Sequence, residues 1–150
     1  MNKMKKSVEE IRKKCIKKIE RKINCKLVKR EPKSTTVCED KEKKITVVCL
    51  YSKKHKKRKI NYAGFWLSFH SQQKQSLLKY NKGYLGLGCG TEKTVFLIPR
   101  KYFFKILDVL PSIKDEGLDF FIRVEKIDGE FYIDTRRQDD RYISIQKYLI

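Results

Sequence analysis

At 150 residues the chain has the length of one ordinary domain, enough to bury a core. Its hydrophobic fraction of 40% and aromatic fraction of 11% argue against a disordered chain. No apolar run nears the roughly 18 residues that a membrane-spanning helix needs, and the basic N-terminus lacks the apolar stretch of a secretory signal. The formal charge of +19 is concentrated. Residues 1–60 hold 23 Lys and Arg against 7 Asp and Glu, whereas residues 61–150 hold 14 against 11. The expectation is one cytoplasmic domain spanning residues 1–150, with no membrane and with a polyanion as partner.

Taken in chain order, Ser7-Val8-Glu9-Glu10 has the spacing of a capping box. Val8, Ile11, Cys15, Ile16, Ile19 and Ile23 then fall on one helical face. The pattern predicts a helix over Val8–Ile23 that ends at Asn24. Its other faces carry Arg12, Lys13, Lys14, Lys17, Lys18, Arg21 and Lys22. The apolar face lacks the Trp, Phe or Leu of a membrane-surface helix. Short strands are expected at Leu27-Val28 and Val37-Cys38, with a turn at 32–36 between them.

The stretch from Ile45 to Phe69 reads as a central hairpin. Ile45–Tyr51 and Ile60–Phe69 are rich in β-branched and aromatic residues. Between them Lys53, Lys54, His55, Lys56, Lys57, Arg58 and Lys59 form a cationic run with no acid. Tyr62, Trp66 and His70 share one strand face by their even spacing, as a surface for stacking unpaired bases would require. Trp66 is also the only tryptophan, and the core is the favoured place for such a residue. His70 reads either as a structural histidine or as a general base.

A short helix from Gln72 to Tyr80, capped by Ser71, follows. Tyr84–Gly90 is a strand in which Gly86, Gly88 and Gly90 make a bare strip, expected beneath an aromatic ring such as Trp66. The next segment, Thr94–Ile98, is a strand. The glycines therefore do not form the strand-to-helix loop of a dinucleotide site, and no G-K-[ST] phosphate loop is present. Pro99 opens a helix with a Phe103, Ile106, Leu107, Leu110 stripe. Leu118–Ile127, the Asp128-Gly129 turn and Glu130–Asp134 form a hairpin. Residues Tyr142–Ile150 fit either a strand or a helical turn. The predicted fold is α+β, a mainly antiparallel sheet with a basic N-terminal helix and two further helices.

Five cysteines with no C-x-x-C pair read as reduced, mostly buried thiols rather than a zinc site. The order helix, three strands, short helix, strand resembles the αβββαβ core of PD-(D/E)xK nucleases. The resemblance implies an acid on one strand and E-x-K on the next, holding a divalent metal. Ile45–Tyr51 contains no acid and Ile60–His70 no Glu-x-Lys; the literal match Glu42-Lys43-Lys44 lies in the connection before the strand. Asp119, Glu125, Asp134, Asp139 and Asp140 could supply oxygen ligands for Mg²⁺, but they interleave with Arg123, Lys126, Arg136, Arg137 and Arg141.

The sequence therefore favours a nucleic-acid-binding protein, DNA narrowly over RNA, with no cofactor. Phosphate contacts are expected from Arg12, Lys13, Lys17, Lys18, Arg21 and Lys22 of the helix and from the 53–59 run. About 7 neutralised phosphates would give a log–log salt slope near −6. The first alternative is a metal-dependent nuclease or a nuclease-like subunit of the PD-(D/E)xK type, the only reading that would call for Mg²⁺. The second is an interaction module for an acidic protein.

Overall fold

The computed structural model describes residues 2–30, 36–55, 64–110, 119–137 and 140–150. Helix α1 spans Asn2–Ile23 and is followed by strands β1 (Val28–Lys29), β2 (Val37–Asp40), β3 (Ile45–Ser52) and β4 (Gly64–His70). Helix α2 (Ser71–Leu77), β5 (Lys82–Cys89), β6 (Val95–Pro99) and helix α3 (Arg100–Leu107) come next. β7 (Asp119–Ile127), β8 (Glu130–Asp134), β9 (Tyr142–Ser144) and a 3₁₀ turn at Gln146–Tyr148 complete the described elements. The strands form two sheets, β1-β2-β3-β5-β6 and β4-β7-β8-β9. Neighbours are antiparallel except β3 and β5, which run parallel. The fold is α+β, as the sequence predicts.

The central hairpin is not one ribbon. β3 is buried along nearly its whole length, because its continuous apolar run needs cover on both faces. It therefore takes an interior place in the first sheet, between β2 and β5. β4 alternates, with Phe65, Leu67 and Phe69 inward and Trp66, Ser68 and His70 outward, and it starts the second sheet. Among the described residues the backbone pairing between these two segments is a single bridge beyond the end of β3, where His55 and Gly64 exchange hydrogen bonds of 2.8 and 3.1 Å. Lys56, Lys57, Arg58, Lys59 and Tyr62 lie outside the described residues.

One core lies between the sheets. Leu85, Leu87, Phe96 and Ile98 of the first sheet face Leu67, Phe69, Ile122 and Ile133 of the second, and Leu77, Phe103 and Ile106 close it. A second, smaller core fills the opposite face of the first sheet, where Cys15 and Ile19 of α1 meet Val47, Cys49, Val95 and Leu97. The layers are thus helix, sheet and sheet. The glycine strip faces α1 in this second core and not Trp66, although the Tyr51 ring also approaches Gly88, 3.3 Å from where a Cβ would stand. A Cβ at Gly86 would lie 2.8 Å from Ile19 Cδ1, and one at Gly88 would lie 3.0 Å from Cys15 Sγ. Gly90 has left the strand at a φ of +84° and turns toward Phe65.

Several element ends differ from expectation. α1 starts at Asn2, so Ser7 and Glu10 are helical and not a cap. Residues 2–6 contain neither Gly nor Pro, and nothing there stops a helix from propagating toward the N-terminus. Asn24 does end it, at a φ of 51°. His70 rather than Ser71 is the N-cap of α2, with Gln73 Oε1 accepting the His70 N–H at 2.8 Å. The guanidinium of Arg100 donates to the carbonyls of Leu77, Tyr80 and Asn81, at 2.8, 2.6 and 2.9 Å, and so ties the end of α2 to the start of α3. The C-terminal segment is both things its pattern allows, a strand and then a 3₁₀ turn.

Candidate nucleic-acid interface

α1 divides its cations by position on the helix. Lys13, Lys17 and Arg21, four residues apart, form an exposed row, and Lys22 is exposed beside it. Lys18 is turned toward the protein, where its Nζ donates to the carbonyls of Glu92 and Lys93 at 3.2 and 3.3 Å. Lys14 comes within 3.8 Å of the Glu92 carboxylate. These two contacts link the helix to the β5–β6 turn.

Arg12 takes a different course. It lies one turn before Ile16 and beside Cys15 on the helix, so its half-buried side chain reaches the boundary between the two sheets. Its Nε is buried and has no hydrogen-bond partner among the described residues. Nearby, burial raises the Tyr51 phenol above its ordinary pKa, with the Arg12 charge pulling the other way. The Tyr51 hydroxyl donates to the Gly90 carbonyl at 2.7 Å.

Arg12 opens into a cleft of about 350 Å³ that also touches Thr36, Tyr51, Trp66, His70 and Gln73. The cleft follows from strand lengths. Among the described residues β2 pairs with β3 as far as Val37 opposite Val48, and beyond that pair the Cys49 N–H donates to the Thr36 carbonyl at 2.8 Å. β4 is the edge of the second sheet. The gap between β3 and β4 is bridged by Trp66 N–H donating to Ser52 Oγ at 3.0 Å. Its floor is held by Gln73, whose Nε2 donates to Thr36 Oγ1 at 3.1 Å while its Oε1 accepts from His70.

Trp66 is at the mouth of the cleft and 38% exposed. The core expectation fails because the alternation of β4 puts the even positions outward. Its ring stacks on His55 at 4.1 Å and 12°, and the Arg123 guanidinium lies 5.8 Å from its centroid. Lys53 and Lys54, both exposed, precede His55. Thus Arg12, His55, Trp66 and His70, expected as contacts from three separate segments, come together. Thr36, Tyr51 and Gln73 were not legible as site residues. The one signal for Gln73 was its position three residues after His70, the spacing of a capping pair.

The carboxylates form a different picture. Asp134 is buried and accepts from Arg141 Nε and Nη2 at 2.9 and 3.0 Å and from the Arg136 N–H at 2.8 Å. Burial alone would raise its pKa, but these partners outweigh it and hold the carboxyl below its ordinary value. Glu39 behaves the same way, with burial outweighed by Arg30 and Lys79. Asp40 accepts the N–H groups of Lys43 and Lys26, which lower its pKa. These acids of β2, next to β3, are therefore already satisfied within the protein. A hollow of about 440 Å³ beside them is lined by these paired groups. Asp139 and the side chain of Asp119 lie outside the described residues. Among the described residues no three His, Cys, Asp or Glu side chains are grouped to hold a metal ion, and no helix is long and apolar enough to cross a membrane. No protein-family model matches the chain, and no curated protein or solved structure is significantly similar to it.

Proposed function

We propose that the protein binds nucleic acid across the mouth of the Arg12–Trp66 cleft, with DNA the first ligand to test. The observation that carries the reading is the convergence of Arg12, His55, Trp66 and His70 beside Lys53 and Lys54. Cations give salt-sensitive affinity for the phosphate backbone without reading sequence. An exposed aromatic stack gives unpaired bases a surface that accepts any base. The same helix that brings Arg12 to the cleft carries the exposed row of Lys13, Lys17 and Arg21.

The test is a salt series of binding to single-stranded and duplex DNA. Each lost phosphate contact should flatten the log–log slope by about 0.7 for single strands and about 0.9 for duplex. Lys13→Ala/Lys17→Ala/Arg21→Ala should therefore flatten the duplex slope by close to three contacts' worth. Trp66→Ala should weaken the single strand by roughly 1–3 kcal/mol and change the salt slope little. Weak binding with a shallow slope that neither variant alters would overturn the proposal and turn attention to an acidic protein partner.

A further inference from the structure

We infer that the Arg12 cleft is a subsite for one phosphate group, a role that rests on the nucleic-acid reading but assigns to Arg12 a task apart from the exposed lysines. Three observations converge. Among the described residues the buried Nε of Arg12 has no hydrogen-bond partner and no carboxylate pairs with its guanidinium. The Nε itself is enclosed by protein, so an arriving anion would meet the guanidinium where it lines the cleft, through charge-assisted hydrogen bonds. Second, the lining contains no Asp or Glu among the described residues. Its polar groups instead include hydroxyls able to donate: Thr36 Oγ1 accepts from Gln73 Nε2, so its own hydrogen remains to be given, and Ser68 adds an exposed hydroxyl. Third, the volume of about 350 Å³ is at the small end of the ~300–1,000 Å³ typical of small-ligand sites, and the Trp66–His55 stack stands at its mouth.

A guanidinium is suited to this because its planar fork meets two phosphate oxygens at once, which an ammonium cannot do. The exposed lysines hold a strand by charge alone. Arg12, fixed by the packing of Cys15 and Ile19 in the turns that follow it, would set where along the strand one phosphate sits.

The experiment uses the full chain and the fluorescence of Trp66, its single tryptophan. Inorganic phosphate is titrated against chloride at equal ionic strength, followed by oligothymidylates bearing either a 5′-phosphate or a 5′-hydroxyl. The expected result is a saturable response to phosphate that chloride does not reproduce. Arg12→Gln should weaken it at least about tenfold, as loss of a charge-assisted bond implies, and Arg12→Lys should restore it only in part. Thermal melts of both variants establish that they are folded, and Arg12→Lys keeps the test alive should Arg12→Gln not be. A preference for the 5′-phosphate that disappears in Arg12→Gln identifies a strand end as the source; equal Arg12-dependent affinity for both oligomers identifies an internal phosphodiester. A phosphate response matching chloride, or unchanged in folded Arg12→Gln, overturns the subsite. In that case steep salt-dependent DNA binding would still uphold the broader reading. Arg12-dependent phosphate binding without DNA binding would instead refute that reading and leave the subsite standing for a free phosphate compound.

Discussion

The seating of α1 on the glycine strip can be tested by adding one carbon. In Gly88→Ala the new Cβ would stand 3.0 Å from Cys15 Sγ and 3.3 Å from Tyr51 Cδ1. Neither neighbour yields readily: Cys15 is fully buried on the helix, and the Tyr51 ring is anchored through its hydroxyl at Gly90. Overpacking of this kind costs about 1–3 kcal/mol. Replacing a strand glycine returns roughly 0.5–1 kcal/mol in backbone entropy. The net expectation is a destabilisation near 1–2 kcal/mol, a fall in Tm of about 2–8 °C for a chain of this size. Gly86→Ala is a softer test, because its clash is with Ile19 Cδ1, the movable tip of a side chain. The decisive measurement is the cycle with Cys15→Ala, read by denaturant unfolding. Removing the sulfur opens the space that the Gly88→Ala methyl needs, so the double variant should be more stable than the sum of the singles by at least about 0.5–1 kcal/mol. Additivity within the ~0.3–0.5 kcal/mol seen for independent sites would refute the claim that helix and strip are in close contact.

Three further outcomes are expected. Asp134 binds protons less readily folded than unfolded, so its contribution is present above the ordinary carboxylate range and is lost as pH falls through the lower, folded value. Tm should therefore be level above about pH 5 and decline below about pH 4; Asp134→Asn should be less stable at pH 7 and show a shallower acid decline, and an unchanged acid limb would count against the ion pair. Burial, followed by the Glu92 charge, pushes the Cys15 thiol up to about 11; burial and then Asp40 do the same for Cys25, and burial also raises Cys38, Cys49 and Cys89. A thiol-disulfide reagent at pH 7 should thus react slowly, first at half-buried Cys25, with the other four requiring denaturant; prompt titration of two or more thiols would contradict this. Finally, Arg100→Met keeps the side-chain stem but strips three carbonyls of their donor; a loss of about 2 kcal/mol, roughly 4–8 °C in Tm, is expected by thermal melt, and a change under 1 °C would show that water replaces the guanidinium.

Periodicity made the helices and most strands legible, because α1 and β4 each present one apolar face and so write their period into the chain. It also paired Trp66 with His70 on one face of β4. What it could not supply was the partner of each strand. An apolar run such as Ile45–Leu50 shows burial on both faces but not which neighbours provide it, and adjacency in the chain made a hairpin with β4 the natural inference. The parallel pairing of β3 with β5 joins residues more than 30 positions apart, and no local pattern encodes it. The glycine strip was read correctly as a site of close approach, but the ring named for it, Trp66, is not there: α1 comes nearest, with Tyr51 and Phe65 beside Gly88 and Gly90, since a bare strand face accepts a helix as readily as a ring. Arg12 was legible as a cation and not as a buried one: its place is set by how α1 lies over the sheet, which depends on Gly86 and Gly88 more than 70 residues away.

That dependence couples stability to function in this fold. The helix face that fixes α1 is centred on Cys15 and Ile19, with Ile11, Ile16 and Ile23 packed around them, and the absence of two Cβ atoms beneath them determines how closely it approaches the sheet. Arg12 is less than one turn from Cys15, so a shift that relieves contact at Gly88 must move the guanidinium relative to Thr36, Tyr51 and Gln73. The exposed cations are insulated from such a shift, because Lys13, Lys17 and Arg21 face solvent and only need to remain on a helix. Gly88→Ala should accordingly leave the salt slope of DNA binding nearly intact while weakening the Arg12-dependent response to phosphate. A variant that lost both in equal measure would mean that the helix acts as a single charged surface, and that the cleft has no separate part in binding.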